Sequence, residues 1–195
     1  MHTLAKAEED PISNNFGKAD ELNASFSYVD KNIDGTYPNM FITNHDLVRF
    51  GDMIQRSGKG NYWERHRAAI SFLNAYTGPI TLYYGDEWGA EVSNDGSYAN
   101  DNESRSPGKI SGFNTEEQSL VNYTAKLMAI RKEHPALWRG KRTNLIASGQ
   151  QYADLKTDTK TGDMFRAEVA SGSERGQIIE TYISAGNILR FAMRQ

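Results

Sequence analysis

Apolar positions along the chain change their spacing several times, and each change marks an element. Leu22, Phe26, Val29 and Ile33 recur at intervals of four, three and four, which is one face of a short amphipathic helix. Asp34-Gly35 supplies its stop, and Pro38 fixes the approach to the next element. Met40 to Thr43 is a short continuous apolar run, as a buried strand requires. Trp63, Arg67, Ile70 and Leu73 lie on one side of a second helix, expected over about Asn61 to Tyr76. Asn61 and Glu64 would form its capping box and Gly78-Pro79 its terminator. Ile80 to Tyr84 is apolar throughout, which suits a parallel strand covered on both faces. Residues 89–113 are rich in Asn, Ser, Gly and Asp and read as a long loop, functional or mobile. A third helix starts near Thr115 with a Thr115/Gln118 capping box. It carries the stripe Leu120, Tyr123, Leu127, Ile130 and ends at His134-Pro135.

From about Thr143 the texture shifts to short alternating runs: Gln151 to Thr157, Met164 to Ala170, Ile178 to Ser184 and Ile188 to Met193. Turn residues separate them at Lys160-Thr161-Gly162-Asp163, Ser171-Gly172-Ser173 and Ala185-Gly186-Asn187. This predicts a small antiparallel β unit. The expected division is a polar lead-in over 1–19, an α/β segment over 20–142 and an antiparallel β domain over 143–195.

Composition narrows the partners. The 195 residues are 38% hydrophobic and 24% charged, enough for one domain or one domain with a small appendage. The net charge of −3 is scattered without a basic stripe, which argues against nucleic acid and against anionic membrane as partners. Cysteine is absent, so neither disulfides nor cysteine-zinc sites hold the chain. No apolar stretch is long enough for a bilayer span, and residues 1–10 lack the apolar core of a signal peptide. Localisation stays open. The expectation is that Met1 is not the start of the parent gene product, and a secreted or periplasmic parent fits that.

The chemistry gathers at two strand ends. Phe41-Ile42-Thr43 runs into Asn44-His45-Asp46, and the Ile80 run ends in Gly85-Asp86-Glu87. Two strands delivering acids to one face suggest part of a glycoside-processing site, because ligands in parallel α/β folds are handled at the C-terminal tips of strands. Taken alone, Asn-His-Asp after a strand is ordinary turn chemistry. Trp88 is the one tryptophan placed for stacking on a sugar, with structural packing as its equal rival; Trp63 and Trp138 are not so placed. Asn94-Asp95-Gly96 to Arg105 offers oxygens for calcium without the alternating spacing of an EF-hand, so a solvated loop and no cofactor are expected. His2, His66 and His134 stand isolated, without metal spacing.

These segments resemble the α-amylase family of glycoside hydrolases. Phe41 to Asp46 with Arg49 is similar to the Asn-His-Asp-x-x-Arg motif ending that family's seventh barrel strand. Gly78-Pro79-Ile80-Thr81-Leu82-Tyr83-Tyr84-Gly85-Asp86-Glu87 is similar to its eighth strand. Leu127 to Leu137 resembles the last barrel helix, and the β tail sits where the family carries its C-terminal β domain. The resemblance covers roughly residues 20–195. It implies the last quarter of a (β/α)8 barrel, with two parallel strands and three helices, followed by a small antiparallel β domain. It also implies that Asp46 is the transition-state-stabilising carboxylate and that His45, Asn44 and Arg49 bind substrate. Asn44 is expected chiefly to fix the loop through the backbone, Arg49 to pair or cap near the next helix, and Glu87 to be the buried partner of a barrel arginine. The family's Gly-x-Arg-x-Asp nucleophile motif and its general-acid Glu have no counterpart here. Retaining glycosidases need both acids, about 5–5.5 Å apart. The expectation is therefore a fragment of an enzyme acting on α-glucosidic bonds of starch-like glucans and maltooligosaccharides, inactive alone. Self-association, pairing with a complementary barrel half, or a non-catalytic assembly or carbohydrate-binding role form the alternative.

Overall fold

A computed structural model of the chain describes residues 19–32, 37–57, 60–92, 105–148, 151–170, 179–184 and 187–192. Helix α1 (Ala19–Asn32) leads to strand β1 (Met40–Phe41), helices α2 (Phe50–Ser57) and α3 (Tyr62–Asn74), and strand β2 (Ile80–Thr81). A 3-10 turn over Asp86–Trp88 precedes helices α4 (Thr115–Glu133) and α5 (Pro135–Arg139). Five strands close the order: β3 (Lys141–Ser148), β4 (Gln151–Thr157), β5 (Met164–Ala170), β6 (Ile179–Ser184) and β7 (Asn187–Ala192). The lead-in up to residue 18, the Asp34-Gly35 stop, most of the oxygen-rich loop expected to be solvated, and the Ser171-Gly172-Ser173 turn lie outside the described residues.

Strands β1 and β2 pair in parallel, with Met40 opposite Ile80 and Phe41 opposite Thr81, as the apolar runs predicted. They are shorter than expected. Beyond Phe41 and Thr81 the chain leaves the ladder to build the turns at the strand tips. The core lies between this pair and the helices. Ile42, Phe50, Met53, Ile54, Ala69, Ile70, Leu73 and Leu127 form one buried cluster. Helix α2 was not foreseen. Its apolar face is only Phe50, Met53 and Ile54, interrupted by Gly51 and Asp52, so it reads as loop. Asp52 is nevertheless buried, and its carboxylate accepts the Val92 N–H at 3.0 Å, so the polar residue is satisfied inside.

Two caps differ from expectation. Asn61 sits in the left-handed region at φ 56° and makes no side-chain cap, so the Asn61/Glu64 box does not form. At α4 the capping box is real but starts one residue earlier: Asn114 Oδ1 accepts the Glu117 N–H at 2.9 Å, and Glu117 Oε2 accepts the Asn114 N–H at 2.7 Å.

The antiparallel sheet runs β3-β4-β5-β6-β7 in sequence order. It begins at Lys141, and strand β3 had escaped the alternation pattern. A register irregularity between Asn144 and Ile146 breaks its period of two. An aromatic seam joins the sheet to the helices. Phe26 of α1 lies 5.5 Å from Phe72 of α3 and 6.0 Å from Tyr152 of β4, between ring centroids. Arg131 of α4 makes a second junction. It is 8% exposed and donates to the carbonyls of Asn74, Tyr76 and Leu137 at 2.6, 2.8 and 3.3 Å, and to that of Gly78. Burial lowers its pKa to about 10, so it stays charged at neutral pH. Among the described residues no helix is long and apolar enough to cross a membrane.

Candidate functional site at the strand tips

The parallel register decides what meets at the tips. Asp46 and Asp86 each lie six residues beyond the paired Met40 and Ile80, so both follow their strands out at the same end. Asn44 starts an Asx turn: its Oδ1 accepts the Asp46 N–H at 2.9 Å, the backbone-fixing part expected of it. That turn brings His45 Nε2 to 3.2 Å from Asp46 Oδ2. The other carboxylate oxygen, Oδ1, accepts from Arg105 at 3.1 Å. The His45 and Asp46 side chains are 63% and 62% exposed, so these contacts orient the carboxylate more than they stabilise the fold.

Beneath this open layer lies a buried one. The Thr43 hydroxyl donates to Asp86 Oδ1 at 2.7 Å. Asp86 is 3% exposed, and burial is the main cause that pushes its carboxyl up to about 7; the Thr43 hydrogen bond and the Arg49 charge oppose the rise. Its second oxygen, Oδ2, is buried and has no hydrogen-bond partner among the described residues. Arg49 is 1% exposed. Its guanidinium packs against the Tyr83 and Tyr84 rings, with 4.8 and 4.5 Å to their centroids, and donates to the Tyr84 carbonyl and to Ser106 Oγ at 3.3 Å. On a regular strand Tyr83 and Tyr84 would face opposite sides. Their chain is already turning, and the rings lie 4.6 Å apart, both against Arg49. Gly85 makes the turn feasible. Its φ is 98°, and a Cβ there would fall 2.7 Å from the Arg49 guanidinium.

The expected buried acid was Glu87, but Asp86 takes that place. Glu87 instead turns back, and its Oε2 accepts the Gly85 N–H at 2.6 Å. Trp88 packs beside Phe113 with the Lys109 ammonium 5.3 Å from its ring centroid, a packing arrangement rather than an open platform. His66 is buried among Phe50, Tyr62 and Trp63, and burial lowers it to about 3, so it is a neutral core residue. Among the described residues no group of three His, Cys, Asp or Glu side chains could hold a metal ion. Asn44, His45 and Asp46 share one turn at the tip of β1. Sequence reasoning missed Arg105 and Ser106, whose approach from a polar loop leaves no periodic signal.

The chain can then be set beside known proteins. No family model matches it. A 50-residue stretch, 26% of the chain, is 46% identical to the adenylate kinase of Nautilia profundicola and 48% identical to that of Campylobacter jejuni subsp. jejuni. The chain spans about a quarter of the length of these curated relatives, 26% of each. The likeness to solved structures is far broader. AmyP in complex with maltotriose covers 97% of the chain at a TM-score of 0.75 and 29% identity, and AmyP with maltose matches equally well at 30%. The α-amylase of Geobacillus thermoleovorans, complexed with acarbose, covers 98% at a TM-score of 0.68; at 16% identity it supports the fold alone. The chain spans only 46% of AmyP and 44% of the Geobacillus enzyme. In fold, and at 29–30% identity to AmyP across nearly all of its own length, the chain is similar to solved structures of α-amylase-type glycoside hydrolases, and it spans less than half of those chains.

Proposed function

We propose that the chain is the C-terminal portion of an α-amylase-like enzyme that acts on α-glucosidic bonds of starch-like glucans, contributing the last quarter of a (β/α)8 barrel and the β domain behind it. The observation that carries this reading is the parallel Met40/Ile80 register, which sends Asn44-His45-Asp46 and Gly85-Asp86-Glu87 out at one end. In this reading Asp46 stabilises the positive charge that grows on the sugar ring. A fixed carboxylate does so more in the transition state than in the ground state. His45 hydrogen-bonds the adjacent hydroxyls and Asn44 fixes the turn. Arg49, enclosed by two tyrosine rings, braces the tips from below rather than touching sugar. The nucleophile and the general acid come from barrel strands this chain does not encode, so it is inactive alone. AmyP is seen with maltose and maltotriose, which supports a maltooligosaccharide as the ligand.

The test is the pure chain with a chromogenic maltooligosaccharide for turnover, and with maltotriose followed by NMR. The reading expects no hydrolysis, together with shift changes centred on residues 43–46 that weaken in Asp46→Asn. Turnover that survives Asp46→Asn, or sugar contacts elsewhere only, would overturn it.

The 50-residue likeness favours a second, local reading: a quarter of the chain is shared with adenylate kinases and retains a contact for adenine nucleotides. Calorimetric titration with AMP and ATP decides it, and absence of heat removes it.

A further inference from the structure

Away from the strand tips, a pocket partly open to solvent lies between α1, the end of α3 with residues 75–77, and strands β3 and β4. Its walls are aromatic. Phe26 stacks at 5.5 Å on Phe72 and lies 5.8 Å from Tyr76, and Tyr152 meets Phe72 edge-on at 6.1 Å. Four charged side chains line it: Asp30, Arg142, Asp154 and Lys156. Arg142 engages both acids, at 2.9 Å to Asp30 Oδ2 and 3.3 Å to Asp154 Oδ1, and the Tyr152 hydroxyl donates to Asp154 Oδ2 at 2.5 Å. Lys156 is left over. It is 3% exposed, donates to Thr77 Oγ1 at 2.6 Å and forms no ion pair among the described residues. A buried lysine with three hydrogen-bonding positions on its amine thus lines an apolar, ring-walled pocket with one bond made among the described residues.

We infer that this cavity binds a small aromatic carboxylate, its ring against Phe26, Phe72 and Tyr76 and its carboxylate on Lys156. Flat apolar walls select a planar body. The two acids are hydrogen-bonded by Arg142 and Tyr152, whereas the remaining hydrogen-bonding positions of Lys156 have no partner among the described residues and suit a carboxylate. The site stands apart from Asp46, and the inference does not depend on the glycosidase reading.

Protonation gives the site a signature. The groups facing Lys156 are Thr77 after α3, Asp154 and Tyr152 on β4, Arg142 on β3, Arg131 on α4 and Asp30 on α1. Burial is the largest influence and lowers the amine to about 7; Arg142 and Arg131 push the same way, and the two acids oppose. Above that pH the empty site holds mostly neutral amine, and a bound carboxylate must recharge it. Binding then takes up a proton, and affinity falls by roughly tenfold per pH unit until the bound amine also titrates.

Calorimetry of the purified chain with benzoate tests this, in two buffers of different ionisation enthalpy at pH 8, with benzamide as the neutral isostere. The expected result is benzoate binding with net proton uptake, roughly tenfold weaker at pH 9 than at pH 8, and no comparable benzamide binding. Lys156→Met, checked for folding by circular dichroism, should lose benzoate affinity by at least about tenfold, the loss expected for a charge-assisted contact. Should that variant fail to fold, proton uptake and the benzamide comparison in the wild type still decide. No benzoate binding at pH 7, equal binding of benzamide, absence of proton uptake at pH 8, or full affinity in a folded Lys156→Met would each overturn the inference.

Discussion

Replacing Asp86 by Asn should change how stability depends on pH, in a direction set by the burial of its carboxyl. Burial raises the Asp86 carboxyl from 3.8 to about 7, so between those values the folded chain holds a proton that the unfolded chain has released. Stability therefore falls as pH rises through this window. Three pKa units at 1.36 kcal/mol each make the loss about 4 kcal/mol, complete by pH 8. His66 works in the opposite sense. Lowered from 6.5 to about 3, it leaves the unfolded chain binding the extra proton over that range, so stability rises with pH there. The two effects largely cancel in the wild type between about pH 4 and 6.5. Asp86→Asn keeps an acceptor for the Thr43 hydroxyl and removes only the titration. Its amide N–H2 replaces an oxygen that has no hydrogen-bond partner among the described residues, a pH-independent cost of about 1–3 kcal/mol. The stability difference between variant and wild type should then move by about 4 kcal/mol in the variant's favour from pH 4 to pH 8. Urea unfolding followed by circular dichroism across that range measures it, with a constant m-value as the check on two-state behaviour. A difference that stays flat with pH would refute the reasoning, because it would mean that Asp86 is ionised in the folded state throughout.

Two further outcomes follow from the packing. Arg131→Met leaves the carbonyls of Asn74, Tyr76, Gly78 and Leu137 without their shared donor, and should cost about 3–5 kcal/mol in urea unfolding; a loss below about 1 kcal/mol would show that the guanidinium is dispensable. Asn114→Ala removes the α4 cap and should cost about 1 kcal/mol by thermal melting, whereas Thr115→Ala should cost much less, which separates the observed cap from the expected one.

The strand pair was legible because the runs from Met40 and from Ile80 are nearly continuous in apolar residues, a pattern that suits parallel strands, although Thr81 is exposed in the fold. The Asn44-His45-Asp46 turn was legible because Asn acts on its own following backbone. The buried layer below was not. Whether Asp86 or Glu87 turns inward depends on where the chain leaves β2, and Gly85 sets that through a backbone angle no periodicity reports. Helix α2 hid for a related reason: Asp52 breaks the apolar face yet is satisfied by Val92, forty residues away. Arg105 reaches Asp46 from a polar loop, where spacing carries no information about direction.

The single guanidinium of Arg131 binds together the end of α3, the approach to β2 and helix α5, which leads into the sheet. Three helices and the approach to the strand pair thus share one rivet, next to the first strand of the sheet. Detaching any of these segments strands oxygens of the others in a dry interior, which makes piecemeal loss of structure costly. The α/β portion and the β portion should therefore melt as one cooperative block, although the sequence divides them into two textures.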